Sequence, residues 1–456
     1  MSPWSRRQVL GAVPGAAAGT GWSTSSRASG HRWNLLCVVI DALPAMVVAP
    51  HPNDPRGMWA GAMPGLGALA HRGFGFRRAQ AVHPEPLPGL AALWTGRPGS
   101  ETGAMVSGLP VSRRWPVVTD WIAGHGAVDV WTAGGPSIPG RTPGRSVKVL
   151  LSGNHLAMPG NLDSAQAMAH AIRNRAPGRP WLGMLRLRGL SALDAAVASW
   201  AGMKRAPDLG LPERELPPAP DRTIPADEPS LIASAVRAGS PSAHWPEPMW
   251  RHYLWCARGM LAELDRVLTM VLDTLAGSIH AETTTVIVTA ASGHPLGHHG
   301  LVRSRAPYAS TLEVPWVMTG PPPGRSSALV SGLDFAPTVC DLLGAPPMPD
   351  ARGVSVRPLL GPAAVPWRKG VRSESLVDGR TLRTEEFAYI RMVGDIAEML
   401  FHMENDPLQL DNLALDRGYA SAVESHRAML DDLGRQLRPT STAGAGFRGL
   451  PAALQR

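Results

Sequence analysis

The chain has little cysteine. Its three residues, Cys37, Cys256 and Cys340, are far apart, odd in number and without CxxC spacing. That argues against a disulfide framework and against a cysteine-based zinc module. Each sits in an apolar context, so three buried free thiols is the expected state, with one long-range disulfide as the alternative. No apolar run reaches the roughly 18 residues of a membrane-spanning helix, so no span is expected. No Lys/Arg-rich run with interleaved aromatics occurs, which leaves nucleic-acid binding without support. Lysine itself is scarce: of 44 Lys plus Arg, all but Lys148, Lys204 and Lys369 are arginine. Charged residues make up only 18% of the chain, against 44% hydrophobic, and that balance describes a globular protein and not a disordered one. There are no internal repeats.

What is present begins with length. A chain of 456 residues exceeds one small core, so two or three domains are expected. The formal net charge of +8 favours anionic partners such as sulfated or phosphorylated polymers. The alternative is an arginine-biased surface with no specific partner. Near the N-terminus, Ser5-Arg6-Arg7-Gln8-Val9-Leu10 precedes a run of small residues from Gly11 to Gly21. This resembles a bacterial twin-arginine export signal, so residues 1–31 are read as signal and linker. The expected location is the periplasm or cell envelope.

Strand and helix patterns alternate after that. Residues 34–41, Asn-Leu-Leu-Cys-Val-Val-Ile-Asp, are apolar up to a terminal carboxylate, as a central strand of a parallel sheet would be. Helices are expected at 65–72, from 88 to 95 and from about 117 to 125, and strands at 127–131 and 180–187. The Pro- and charge-rich stretch 205–248 reads as a surface excursion with a short helix at 230–237. Leu254, Leu261, Leu264, Leu268, Val271 and Leu275 mark one long helix over 249–276. Strands at 283–289 and 314–318 and a helix at 334–343 follow. Residues 380–403 read as antiparallel strands and 417–438 as a final helix. The expected organisation is an α/β domain over 32–365, a C-terminal α+β subdomain over 366–438, and a loose tail over 439–456.

Four stretches carry a resemblance. They are Met63-Pro64-Gly65-Leu66 through Gly73-Phe74-Gly75-Phe76; Leu93-Trp94-Thr95-Gly96-Arg97; Gly293 through Leu301 with Pro307-Tyr308 and Val314-Pro315; and Phe401 through Pro407 with Asp411-Asn412-Leu413-Ala414. In this order and spacing, from about residue 33 to 438, they resemble a sulfatase of the alkaline phosphatase superfamily. The resemblance implies a mostly parallel central sheet sandwiched by helices, plus a small C-terminal α+β subdomain. It also implies an oxidised cysteine, a formylglycine, as nucleophile and a calcium ion held by carboxylates and an amide, with Lys, Arg and His as charge stabilisers.

The positions matched to that machinery carry other residues. The nucleophile position is Pro86 and the following family Arg is Leu90. Asp41 matches the first metal carboxylate, but its acidic neighbour is Ala42. The second pair of metal ligands falls on Ala291 and Ser292. The Lys and His after the next strand fall on Gly134 and Pro136, and a further Lys on Ser304. No His stands around Gly189-Leu190. From Ala79 to Ala92 there is no Cys, Ser or Thr, and from Thr283 to Val302 no Asp, Glu or Asn. No catalytic residue is therefore assigned, and the calcium ligand set is incomplete.

The remaining candidates are few. Asp41 reads as a remnant that caps a helix or pairs with an arginine. With His294, His298, His299 and His83 it is also a candidate zinc group, His294 and His298 foremost. His83, Glu85 and His299 are the candidate ligand-binding residues, Glu85 being expected at the surface between its two prolines. Three functions compete: a silent sulfatase-like protein that binds an anion, a sulfated glycan or a partner protein; a sulfate- or phosphate-ester hydrolase rebuilt on a histidine metal site; and a structural protein that uses the fold as a surface. Oligomeric state is not assigned.

Overall fold

The computed structural model describes residues 34–48, 57–59, 61–107, 109–125, 128–134, 143–144, 146–151, 160–199, 216–237, 240, 242–303, 305–362, 364–375 and 379–435. The proposed signal, Pro136, Ser304 and the tail lie outside these residues.

Residues Asn34–Ala42 form β1, which is buried along its whole length. Its edges pair with two parallel neighbours, Trp181–Leu187 (β5) and Thr284–Ser292 (β6), and its residues are apolar on both faces, as suits a parallel sheet covered on both sides. Those three strands are the centre of an eight-stranded sheet. The others are Phe74–Gln80 (β2), Asp129–Ala133 (β3), Val147–Leu151 (β4), Trp316–Met318 (β7) and Gly324–Ser331 (β8), in the order β4-β3-β5-β1-β6-β7-β2-β8. Only β7 runs against its neighbours. The sheet is therefore mostly parallel, as the resemblance implied.

Helices cover it. The described ones that matter here are α1 (Pro64–Arg72), α2 (Pro86–Thr95), α3 (Gly99–Thr102), α4 (Val118–His125), α5 (Asn161–Arg173), α6 (Ser191–Ser199), α7 (Glu247–Ala276), α8 (Phe335–Leu342) and α9 (Ala420–Arg435). The long helix α7 buries Leu254, Leu261, Leu264, Leu268, Val271 and Leu275, the stripe that its sequence spacing predicts. α2 starts two residues before the expected position because Pro86 and Pro88 suit a first turn, where a missing N–H costs nothing.

Boundaries move elsewhere. The strand expected at 127–131 runs from Asp129 to Ala133, and the one expected at 283–289 continues to Ser292. The stretch 205–248 is not only a surface excursion. Ile232 and Val236 pack beneath a second sheet, and Trp245 joins the main core. Cys37 and Cys340 are buried free thiols, whereas Cys256 is half-buried and also free.

The second sheet is antiparallel: Gly370–Ser375 (β9), Gly379–Thr384 (β10), Phe387–Met392 (β11) and Glu398–His402 (β12), ordered β12-β11-β10-β9. α9 covers one face through Val423 and Leu430 against Leu382, Tyr389 and Leu400. The other face sets Ile390, Met399 and Phe401 against Leu301, Tyr308 and Ile232. Among the described residues no helix is long and apolar enough to cross a membrane.

Candidate functional site

The carboxyl ends of β1, β5 and β6 meet the N-terminus of α2, and open α/β sheets bind ligands at such ends. Asp41 leaves β1 here and is 4% exposed. Arg186 of β5 reaches it bidentately, Nε to Oδ1 at 2.6 Å and Nη2 to Oδ2 at 2.9 Å. Both carboxylate oxygens therefore meet a guanidinium in a fork geometry. Next to it, Ala42 and Ala291 offer no side-chain oxygen. The Ser292 hydroxyl is turned to the backbone, donating to the Asp41 carbonyl at 3.1 Å. Calcium needs about 6–8 oxygens. A single carboxylate already paired with arginine does not fit it.

The α2 end is equally closed. Pro86 opens the helix, Leu90 is fully buried, and Gly89 packs so closely that a Cβ there would collide with the Ala291 carbonyl. Glu85 is buried, not exposed as expected. It accepts from the Ser107 amide at 3.1 Å and hydroxyl at 2.6 Å, so the loop after α3 folds over it. His83 accepts the Glu85 amide on Nδ1 at 3.0 Å. Burial pushes its pKa down, with the Glu85 and Glu374 charges opposing. Glu374 of β9 accepts from the Ser100 amide at 3.0 Å and faces Arg372 at 3.1 Å.

Gly134, matched to a family lysine, has φ 99°, and a Cβ there would strike the Arg186 carbonyl. No lysine fits that backbone.

The loop after β6 holds the three other histidines. His299 stacks on Tyr308 at 4.0 Å between ring centres and donates through Nδ1 to the Thr223 carbonyl at 3.1 Å. Burial first, and then the neighbouring His298 and Arg237, lower its pKa to about 3. His294 accepts the Leu296 amide on Nδ1 at 3.3 Å, and its Nε2 lies 3.5 Å from Asp194 Oδ1 on α6. His298 is buried in the same turn. The zinc group read from the sequence is thus not assembled. Asp41 is committed to Arg186, His83 to the α2 entry and His299 to Tyr308. Among the described residues no three His, Cys, Asp or Glu side chains are placed to hold a metal ion.

Sequence reasoning missed Arg186, Asp194 and Tyr253. Arg186 had a signal, being the one charge inside the apolar run 180–187. Asp194 and Tyr253 had none, since each gains its setting only when α6, α7 and the β6 loop come together.

No family model matches the chain. It is similar to a Δ4,5-hexuronate-2-O-sulfatase of Bacteroides thetaiotaomicron, 24% identical over 432 residues and covering 88% of each chain. Among solved structures it is similar to a 2-O GAG sulfatase, with a TM-score of 0.74, 21% identity, and coverage of 90% of this chain and 95% of that one. It is also similar to a protein bound to its substrate D-glucosamine-2-N,6-O-disulfate, with a TM-score of 0.66, 18% identity, and coverage of 89% and 98%.

Proposed function

From a chain that shares the sulfatase-like fold of the alkaline phosphatase superfamily and has sulfatases as homologues, we propose a sulfatase-like protein that does not cleave esters and uses the fold to bind an anionic or sulfated glycan. The observation that carries this reading is the Asp41–Arg186 pair. Where the resemblance expects a carboxylate to bind a cation, this chain sets its own guanidinium against that carboxylate.

The remaining geometry supports it. A nucleophile that attacks sulfur must be an activated oxygen or sulfur held in line, and Pro86 supplies neither. Developing negative charge needs fixed donors or a cation, and Ala291, Leu90 and Gly134 supply none. The chain's arginine-rich charge and the sulfated sugar bound by one structural neighbour favour an anionic glycan as ligand.

The test is a turnover assay with aryl sulfate, aryl phosphate and sulfated glucosamine, with calcium or zinc added, beside calorimetric titration of sulfated oligosaccharides at rising salt. The expected result is no turnover above blank, with binding that weakens as salt screens the charges. Turnover that Asp41→Ala abolishes would refute the proposal.

A further inference from the structure

The loop between α3 and α4 carries positive charge with no acid of its own. From Thr102 to Thr119 there is no Asp or Glu, whereas Arg113 and Arg114 stand side by side. Both are exposed, and neither has a carboxylate partner among the described residues. The loop is held in place. The Ser112 amide donates to the Thr102 carbonyl at 3.2 Å and the Trp115 amide to the Ser112 carbonyl at 3.2 Å. The Trp115 indole N–H donates to the Glu101 carbonyl at 3.0 Å, and Val111 is buried.

Trp115 joins this loop to a second layer of charge. The Arg114 guanidinium lies 4.1 Å from its ring centre and that of Arg97 lies 3.6 Å from it. With two guanidiniums this close, the indole has little open face left to stack on a base or a sugar. Arg97 itself is buried and shares Glu101 with Arg352, whose Nε meets Glu101 Oε1 at 2.7 Å. Arg97 also faces Asp350 at 3.3 Å. Both carboxylates are thus taken by Arg97 and Arg352, which leaves the charges of Arg113 and Arg114 without a counter-ion. The Arg97 pKa reflects the surplus: burial lowers it, Glu101 opposes, and the charges of Arg352 and Arg114 lower it further.

The chemistry of this surface selects a class of partner. Guanidinium forks match the oxygens of sulfate and carboxylate groups. One exposed ion pair is worth little. A polymer with repeated anionic groups gains more, because its second contact forms within a complex already made. A loop that is already ordered also loses little entropy on binding. Nucleic acid is such a polymer too, but single strands bind through open aromatic faces that stack on bases, and the faces of Trp115 are given over to arginine.

We propose that Arg113 and Arg114, backed by Trp115, Arg97 and Arg352, form a docking surface for a sulfated polysaccharide. This deepens the proposed function and rests on it for the class of ligand. The surface reads the density of negative charge and not the identity of the sugar.

The experiment titrates dextran sulfate, unsulfated dextran and oligo-dT into the full chain by calorimetry at rising salt, with melting curves as a check on folding. The wild type is compared with Arg113→Ser/Arg114→Ser, with Arg113→Glu alone, and with Arg77→Ser/Arg325→Ser, which removes the same charge from exposed positions of β2 and β8. Dextran sulfate is expected to bind the wild type, and to bind both Arg113 variants about tenfold more weakly, with a shallower dependence on salt. The β2/β8 variant should stay within about threefold of the wild type, and unsulfated dextran should not bind. Arg113→Glu decides the matter if the double variant does not fold. Equal losses in the two double variants would mean that net charge alone binds. Full affinity in the Arg113 variants would put the glycan elsewhere. Either result sinks the inference and leaves the proposed function standing. Oligo-dT or unsulfated dextran binding as tightly as dextran sulfate also sinks it. A wild type that binds no dextran sulfate sinks the proposed function, and this inference with it.

Discussion

Arg186 is the residue on which the site turns. It stands alone as a charge in an apolar strand, and its partner lies 145 positions earlier in the chain. The sequence shows that Asp41 needs a partner and offers an arginine as one answer. It does not show which arginine, because only the β5-β1-β6 order brings the two strands side by side. Breaking the pair leaves a carboxylate buried without compensation, at a cost of about 3–5 kcal/mol. Arg186→Ala is therefore expected to lower the urea midpoint strongly. Asp41→Leu with Arg186→Met is expected to recover most of the loss, since an apolar pair of similar size leaves nothing unsatisfied. A single variant as stable as the wild type would show that the pair is not desolvated in solution. Glu85 teaches the opposite lesson. Flanking prolines suggested a loop at the surface, yet Pro86 opens α2 and Glu85, its N-cap, lies under Ser107.

Among the elements, α1 depends on a residue from another helix. Its own N-cap, Met63, makes no side-chain cap. Asp265 of α7 accepts instead from the Gly65 and Leu66 amides at 2.8 and 2.9 Å. Asp265→Ala is expected to destabilise the protein by about 1–2 kcal/mol, the usual value of a cap. Hydrogen exchange should quicken first at those two amides; unchanged protection there would mean that water caps the helix as well. Long, periodic elements such as α7 and fully apolar ones such as β1 were legible in the sequence. The edge strands β4 and β8 were not. Each is half-exposed, so its apolar signal is diluted by polar residues such as Ser326 and Lys148. α5 was missed for a related reason, since alanines supply much of its buried face.

At the scale of the molecule, the two sheets meet over Leu301, Tyr308, Ile390, Met399 and Phe401. His299 stacks on that seam, where Tyr308 also donates to Glu228 and Arg237 pairs with Glu228. The order of elements on both sides could be read from sequence motifs, but the seam could not, because it joins segments far apart in the chain. Its pH response follows from His299. The folded pKa is about 3, whereas an unfolded histidine titrates near 6.5. Between the two, the unfolded chain holds the extra proton. The stability that the uncharged ring supports is complete above about pH 6.5 and is lost as pH falls toward 3, by up to about 1.4 kcal/mol per pH unit. His83, also depressed by burial, acts in the same direction. Urea midpoints should drop between pH 6.5 and 4, with β11 and β12 losing exchange protection early. His299→Gln should flatten that slope; a slope equally steep in the variant would place the acid sensitivity elsewhere.

Two glycines, Gly134 just after β3 and Gly89 inside α2, limit which side chains this end of the sheet accepts. Gly134 faces the Arg186 carbonyl and Gly89 faces the Ala291 carbonyl with no room for even a methyl group. Any side chain placed at either position would meet backbone before it met a ligand. An engineer would first have to pull α2 and the β3 end back from the sheet, so the order of changes would matter as much as their identity.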